Sequence, residues 1–295
     1  MSLLIDVVDT GSFSAAARKR RLPLTTITRK VSDLEAVLGA KLLVRTTRKL
    51  SLTDTGASYL AAARRIIDQV EEAERQAAGE FTEPRGELVI TAPVQFGHLH
   101  VLPIVTDFLA LFPEISIRLM LLDRNVHLVE DHVDMAVRIG RLADSSMIAT
   151  SVGKMRTVHC ASPQLLGETG IPQTVQDLRK MPCVQFDGAG SAPIWRFVNP
   201  ATKIDEELEV ASRLSVSTVE GALRAALRHA GVVRLLHYQV AEAVAGKRLQ
   251  IILEAFEPPA VPVSLVHAAY GQMPLKMRRF LDYAAPRLKS VLSAL

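Results

Sequence analysis

Residues 11–56 read GSFSAAARKR RLPLTTITRK VSDLEAVLGA KLLVRTTRKL SLTDTG. Ser12 is a good N-cap, and the alanine-rich run from Ser14 to Lys19 predicts a first short helix. Leu22 and Pro23 break it. A second helix is expected from about Leu24 to Leu38, stopped by Gly39. Ile27, Val31, Leu34 and Leu38 fall on one face of it, which predicts a core face. The other face begins with Thr25, Thr26, Thr28, Arg29 and Lys30. Hydroxyls and a guanidinium fork can read base edges, which assigns Thr25, Thr26, Thr28 and Arg29 to bases; an ammonium meets phosphate, which assigns Lys30 to the backbone. Leu42, Leu43 and Val44 read as a buried strand, and Leu50 to Thr53 as its return. Between them, Arg45, Thr46, Thr47, Arg48 and Lys49 form a basic turn. The whole is a wing, with Arg45, Thr46, Arg48 and Lys49 aimed at a DNA backbone or minor groove. Basic helix pairs also occur as plain solvated surface. Here turn spacing, hydroxyl face and basic wing coincide, which favours double-stranded DNA as a partner.

Charge is distributed to match. The chain of 295 residues carries a net +4, yet residues 1–60 hold ten cations against five anions. That segment therefore has an excess of +5 and the remainder −1, as electrostatic steering of a head towards nucleic acid requires. At this length two or three domains are expected, and 48% hydrophobic residues suffice for proper cores. No run of 18 apolar residues and no basic-then-apolar leader is visible, so neither a membrane span nor export is expected. Cys160 and Cys183 sit in apolar runs and fit core positions in a reducing cytoplasm.

After the wing, Thr53 should cap a long helix from about Asp54 to Gly79. Tyr59, Ala63, Ile66, Val70, Ala73 and Ala77 recur on a heptad seam, which asks for a partner helix. A helix lying on its own domain is the alternative. Residues 80–86 read as a polar hinge. From Glu87 strands and helices alternate, predicting a parallel or mixed sheet with helices on both faces. Strands are expected at 88–92, 115–122, 135–139, 148–152 and 157–161. The helix Leu99 to Phe112 should turn Leu102, Val105, Phe108, Leu109 and Phe112 inward, and a short helix is expected from Val126 to Asp131. A second unit begins near Ser162. Helical turns are expected near 164–167 and 175–178. A strand follows at 183–186, with 195–198 a strand on its polar side. A helix at 219–229, a strand at 232–236, a helix at 238–245, a strand at 263–269 and a final helix at 275–292 complete the pattern.

The sequence resembles the LysR-type transcriptional regulators. The matching residues are Thr10 to Ala17, Ile27 to Lys30 with Leu34-Glu35, Leu38-Gly39, Leu42-Leu43 with Arg45 to Arg48, and Leu52 to Gly56. Five motifs thus stand in the family's order and spacing. Pro23 stands where the family usually carries a serine cap, and Met1 falls inside what is usually a longer first helix. Less tightly, Ser162-Pro163, Asp177-Leu178, Trp195 to Phe197 and Gly231 to Leu236 extend the likeness. The resemblance implies an α/β fold class with a winged helix-turn-helix head, a dimerising linker helix and a two-lobed effector domain like the periplasmic binding proteins. The expected domains are 1–58, 59–86 and 87–295, the last divided into a lobe of 87–161 plus 266–295 and a lobe of 162–265.

In open α/β sheets ligands sit at carboxyl ends of strands and at helix starts. Three loops qualify: Thr91 with Pro93, Val94, Gln95 and Phe96; Arg138 with Gly140; and Ser217 with Thr218. The resemblance places the inducer cleft among the same loops. Orphan N–H groups with Arg138 would suit a small carboxylate. The alternative is that Thr91 and Ser217 are caps and that Arg138 pairs with Asp134 or Asp144.

Catalytic constellations are not visible. His98 and His100 diverge by roughly 200° on a helix and cannot share a metal there. His127, Asp131 and His132 read as a solvated face. His159 and Cys160 point to opposite faces of a strand. The glycine turn at 187–191 lacks the lysine of a phosphate loop. No cofactor, metal or enzymatic activity is expected. The reading is a homo-oligomeric, inducer-controlled, sequence-specific transcriptional regulator. The rival is a cytoplasmic solute-binding or carrier protein whose N-terminal segment serves only assembly.

Overall fold

A computed structural model of the chain describes residues 1–45, 50–77, 83–124, 126–142, 147–186, 194–269 and 273–295. It divides into two compact units, residues 1–86 and 87–295.

The first unit runs α1 (Ser2–Asp9), α2 (Phe13–Arg20), α3 (Leu24–Leu38), β1 (Leu43–Arg45), β2 (Leu50–Leu52) and α4 (Asp54–Ala77). Its core gathers Leu4 and Val7 of α1, Ala16 and Ala17 of α2, Ile27 and Val31 of α3, and Leu42 and Leu43. The alanines let α2 approach closely where larger side chains would hold it off. Two buried-face expectations fail at their ends: Leu38 and Val44 are exposed. Leu38 is the last residue of α3, beyond the reach of the small core, and Val44 takes the outer face of a two-stranded ribbon. Ser12 holds the N-cap position of α2 but makes no capping hydrogen bond. Thr53 does cap α4, its Oγ1 accepting the Gly56 N–H at 2.8 Å.

The heptad seam of α4 is divided. Tyr59 packs against the head core and Ala63 is fully buried. Ile66 and Val70, further along, are exposed. The alternative reading therefore holds for the first turns of the helix, and the open seam begins only at Ile66. The side chains of Ala73 and Ala77 lie outside the described residues.

The second unit begins with β3 (Gly86–Ala92), α5 (Val94–Leu111), β4 (Ile115–Leu121), β5 (Met135–Ile139) and β6 (Met147–Met155). It continues with β7 (Thr157–Ala161), α6 (Pro163–Thr169), β8 (Cys183–Phe186), β9 (Ile194–Val198), β10 (Asp205–Glu209) and β11 (Ser212–Val216). Then come α7 (Val219–Leu227), β12 (Val233–Leu236), α8 (His237–Ala245), β13 (Gln250–Ile252), β14 (Val261–Ala268) and α9 (Leu275–Ser293). A five-stranded sheet of order β4-β3-β5-β14-β6 carries α5 and α9 over a core that includes Phe96, Val105, Phe108, Met277 and Phe280. By length and composition α5 could cross a membrane. Its Phe96, Val101, Ile104, Val105 and Phe108 are instead packed in that core. Leu102, expected to point inward, is exposed, because a π turn at Gly97–Val101 shifts the helical phase. The opposite face of the sheet is covered by Val126, Leu128 and Val133. That segment is a run of turns rather than the expected helix; the Asp131 carboxylate accepts the His127 N–H at 2.9 Å, a side-chain bond that favours a turn.

β7 pairs with β12 and β13 in a second, three-stranded sheet. The chain thus changes lobes at Arg156, before the expected crossing at residues 161–162, and returns between β13 and β14. The two crossings are tied together. Arg156 donates to Glu257 at 2.9 and 2.8 Å and to Glu254 at 2.5 Å. β9, expected on the polar side of β8, pairs instead with β10 and buries Trp195 and Phe197 completely.

Candidate functional sites

On α3, Thr25, Thr28 and Arg29 stand at helical spacings of three and four, so they share a face; Thr26 and Lys30 share the adjoining one. Thr25, Arg29 and Lys30 are exposed, and Thr26 and Thr28 partly so. Among the described residues no side-chain hydrogen bond or ion pair engages any of the five. Pro23 occupies the N-cap and has no side chain to offer the first-turn N–H groups of α3. The start of the helix is left open to solvent or to an anion. The structure therefore brings the five α3 residues onto one open surface. Arg45 closes β1, paired with Leu50. Its side chain, and Thr46, Arg48 and Lys49, lie outside the described residues.

Not every cation of the head is available to DNA. Asp6, buried on α1, is paired with Lys19 at 2.7 Å and with Arg20. Burial pushes the Asp6 carboxyl up, but Lys19 and Arg20 outweigh it and hold it below the usual carboxylate range. Asp9 is bonded to Arg64 of α4. These pairs fasten α2 and α4 to α1 and so set the frame in which α3 is presented.

In the second unit, β3 and β5 are parallel neighbours with Thr91 opposite Ala136. The segment after Thr91 and the end of β5 at Arg138–Gly140 therefore meet at one end of the sheet. Two expected ligand contacts there are core groups instead. Thr91 is buried and its hydroxyl donates to the Met120 carbonyl at 2.9 Å. Phe96 is completely buried, edge-on to Tyr238 at 5.2 Å and to His100 at 4.9 Å. Residues 93–97, expected as a loop, are the start of α5, with Pro93 at its N-cap. The Val94 N–H is bonded to the Asp123 carboxylate at 3.0 Å. Gln95 reaches towards the Gln239 carbonyl across the lobes at 3.5 Å, while its Oε1 is buried without a partner among the described residues.

Arg138 is half-buried and donates to the Val126 carbonyl; burial lowers its pKa from the ordinary value. Gly140 adopts φ +122, and its N–H donates to the Pro262 carbonyl at 2.9 Å. Ser217 and Thr218 are exposed at the end of β11 in the second lobe. Thr218 caps α7, accepting the Gly221 N–H at 3.1 Å, while Ser217 does not occupy the cap. Asp123 and Gln239 were not foreseen. Asp123 follows the β4 strand and could have been found by the same end-of-strand rule. Nothing in the sequence brings Gln239, 144 residues from Gln95, into view.

A family model described as a bacterial regulatory helix-turn-helix protein of the lysR family matches residues 1–57, and one described as the LysR substrate binding domain matches residues 81–289. The chain belongs to the LysR family. Among curated relatives, the LysR-type CrgA of Neisseria meningitidis is 30% identical over 98% of this chain and 96% of its own. The probable regulator LtrA of Klebsiella pneumoniae is 29% identical over 96% and 92%. The solved CrgA structure aligns with a TM-score of 0.62 at 29% identity, covering 97% of each chain. The fold is shared further with full-length AphB of Vibrio cholerae, at TM-score 0.61, 24% identity and 96% coverage of each chain. It is shared also with LysG of Corynebacterium glutamicum, solved with bound effector Arg, at TM-score 0.57, 20% identity and coverage of 98% and 96%. This LysR-type protein is a DNA-binding transcriptional regulator with an effector-binding domain, and the carrier alternative falls with the match of its head.

Proposed function

We propose that the regulator reads its operator through Thr25, Thr26, Thr28 and Arg29, and grips the phosphate backbone through Lys30, Arg45, Thr46, Arg48 and Lys49. The observation that carries this reading is the open, unpaired threonine–arginine face of α3. Residues 1–58 are the reading head, 59–86 the linker with its hinge, and 87–295 the effector domain. Ile66 and Val70 are the exposed apolar part of α4 that a second copy would cover, giving a homo-oligomer with two heads for two half-sites. The inducer is a small organic anion held near Pro93, Val94, Gln95, Arg138, Gly140, Ser217 and Thr218. Support comes from the convergence of two of these segments, the half-buried guanidinium and the Gln95 oxygen, unbonded among the described residues. Its binding would shift the lobes, and its effect on DNA is limited to its differential affinity for the two arrangements. The protein works in the cytoplasm and without catalysis of its own.

The test compares operator, found by mapping the protein on its own genome, with random duplex. Arg29→Ala is expected to narrow the ratio of the two affinities by about 1–3 kcal/mol, as loss of a base contact does. Lys49→Ala should weaken both alike and reduce the salt slope by about 1. Equal losses on both duplexes for Arg29→Ala would remove that residue from base readout.

A further inference from the structure

Glu35 lies on the buried side of α3, six residues beyond Arg29 or about 9 Å along the helix. It is 7% exposed and sits where the core face would ordinarily carry an apolar residue. Its Oε1 accepts two consecutive backbone N–H groups, Leu42 at 2.9 Å and Leu43 at 3.2 Å. Its Oε2 is paired with Lys41 at 2.8 Å. Burial alone would raise its pKa, but the Lys41 ammonium and the two N–H donors hold it below the usual carboxylate range. The carboxylate is thus charged at neutral pH, and all three donors come from the few residues that lead into β1.

The same residues are held from the other side. Thr53 donates its hydroxyl to the Lys41 carbonyl at 2.7 Å and its N–H to the Leu42 carbonyl at 3.0 Å. Gly56 permits the approach of α4, since a Cβ there would lie 1.9 Å from the Leu42 oxygen. The backbone entering the wing is therefore fixed by α3, β2 and α4 together, and among the described residues Glu35 supplies the side-chain polar tie to the helix that carries Arg29, beside the packing of Leu42 and Leu43 on Ile27 and Val31. β1 and β2 then continue in register from Leu43 opposite Leu52 to Arg45 opposite Leu50.

We propose that Glu35 is a positioning residue for DNA binding: its carboxylate sets the wing strands relative to the reading face of α3, so that both engage one duplex at once. The proposal rests on the reading that the wing cations meet phosphate. It makes a prediction opposite in sign to simple electrostatics. Glu35→Gln removes an anion from a head that binds a polyanion, which by charge alone tightens binding. A displaced wing weakens it.

Operator affinity should be measured against salt for full-length protein, for Glu35→Gln and Glu35→Ala, and for each in an Arg48→Ala/Lys49→Ala background. Thermal melting monitors folding, and Glu35→Gln, whose neutral amide oxygen accepts the two N–H groups more weakly than the charge-paired carboxylate, stands in if the alanine variant does not fold. Both Glu35 variants should bind more weakly than the parent, with a salt slope lower by up to about 2, the contribution of two phosphate contacts. In the wing-less background the same substitutions should change affinity by less than about twofold, whereas with Arg29→Ala they should be additive. Tighter binding by Glu35→Gln, or an equal loss with and without the wing cations, overturns the proposal. If Arg48→Ala/Lys49→Ala itself leaves affinity and slope unchanged, the wing reading beneath it fails first.

Discussion

Phe96→Ala is expected to destabilise the effector-binding unit by about 3–5 kcal/mol, the range for truncating a buried aromatic. Phe96 is completely buried and meets Tyr238 and His100 edge-on. Tyr238 opens α8, yet it packs in the core beneath α5 and α9. The cavity left by the substitution would therefore open where the two lobes are joined, and cannot be closed by moving one surface side chain. Gln95→Ala, one residue earlier, should leave stability nearly unchanged, since its Oε1 is a buried acceptor without a protein partner and its one contact is long. Urea unfolding followed by Trp195, the only tryptophan of the chain, measures both. Inducer affinity at permissive temperature then separates their roles: Gln95→Ala should lower it with the fold intact. A Phe96→Ala protein as stable as the parent would return that ring to the list of ligand contacts.

How far the sequence could be read follows from which interactions are local. α3 spans Leu24–Leu38 with Gly39 left-handed at φ +63, as the break at Pro23 and the glycine stop imply. Helix limits of this kind are set by neighbours in the chain. Failures came where distant contacts decide. Leu38 and Leu102 satisfy the helical pattern, but one lies past the edge of a small core and the other follows a π turn. β10 carries four carboxylates and buries only Leu208, so no strand was visible until β9 was there to pair with it. β13 is three residues long and owes its existence to β7. The crossing at Arg156 is a single residue between two strands, and its partners Glu254 and Glu257 lie about a hundred residues on. The candidate DNA face was legible because it sits on one helix. The end-of-strand positions of the effector segments were legible, though 93–97 proved the start of α5, and whether Thr91 and Phe96 face a ligand or a core depends on Met120 and Tyr238, which only the fold brings to them.

The effector domain should lose stability between pH 7 and pH 5, and His159 is the main expected cause. It lies on β7, completely buried, stacked on Phe197 at 4.3 Å and 5.2 Å from Trp195. Among the described residues neither ring nitrogen has a partner. Burial, and after it the positive charge of Arg234 on the neighbouring strand, push its pKa down to about 3 from 6.5. Between those values the unfolded chain binds a proton that the native state refuses, so stability rises with pH through this window. The contribution is complete above about pH 6.5 and is lost as the pH falls towards 3. From pH 7 to pH 5 the loss is about 2 kcal/mol. His100 and His237, also depressed by burial, act in the same direction. The difference between parent and a His159→Phe variant therefore isolates the one residue, and phenylalanine suits a site already lined by Phe197 and Trp195. Midpoints of urea unfolding at several pH values should shift in favour of the variant as the pH falls, the variant showing the shallower dependence. Parallel curves would mean that His159 titrates normally in the native state and is not the cause of the pH dependence.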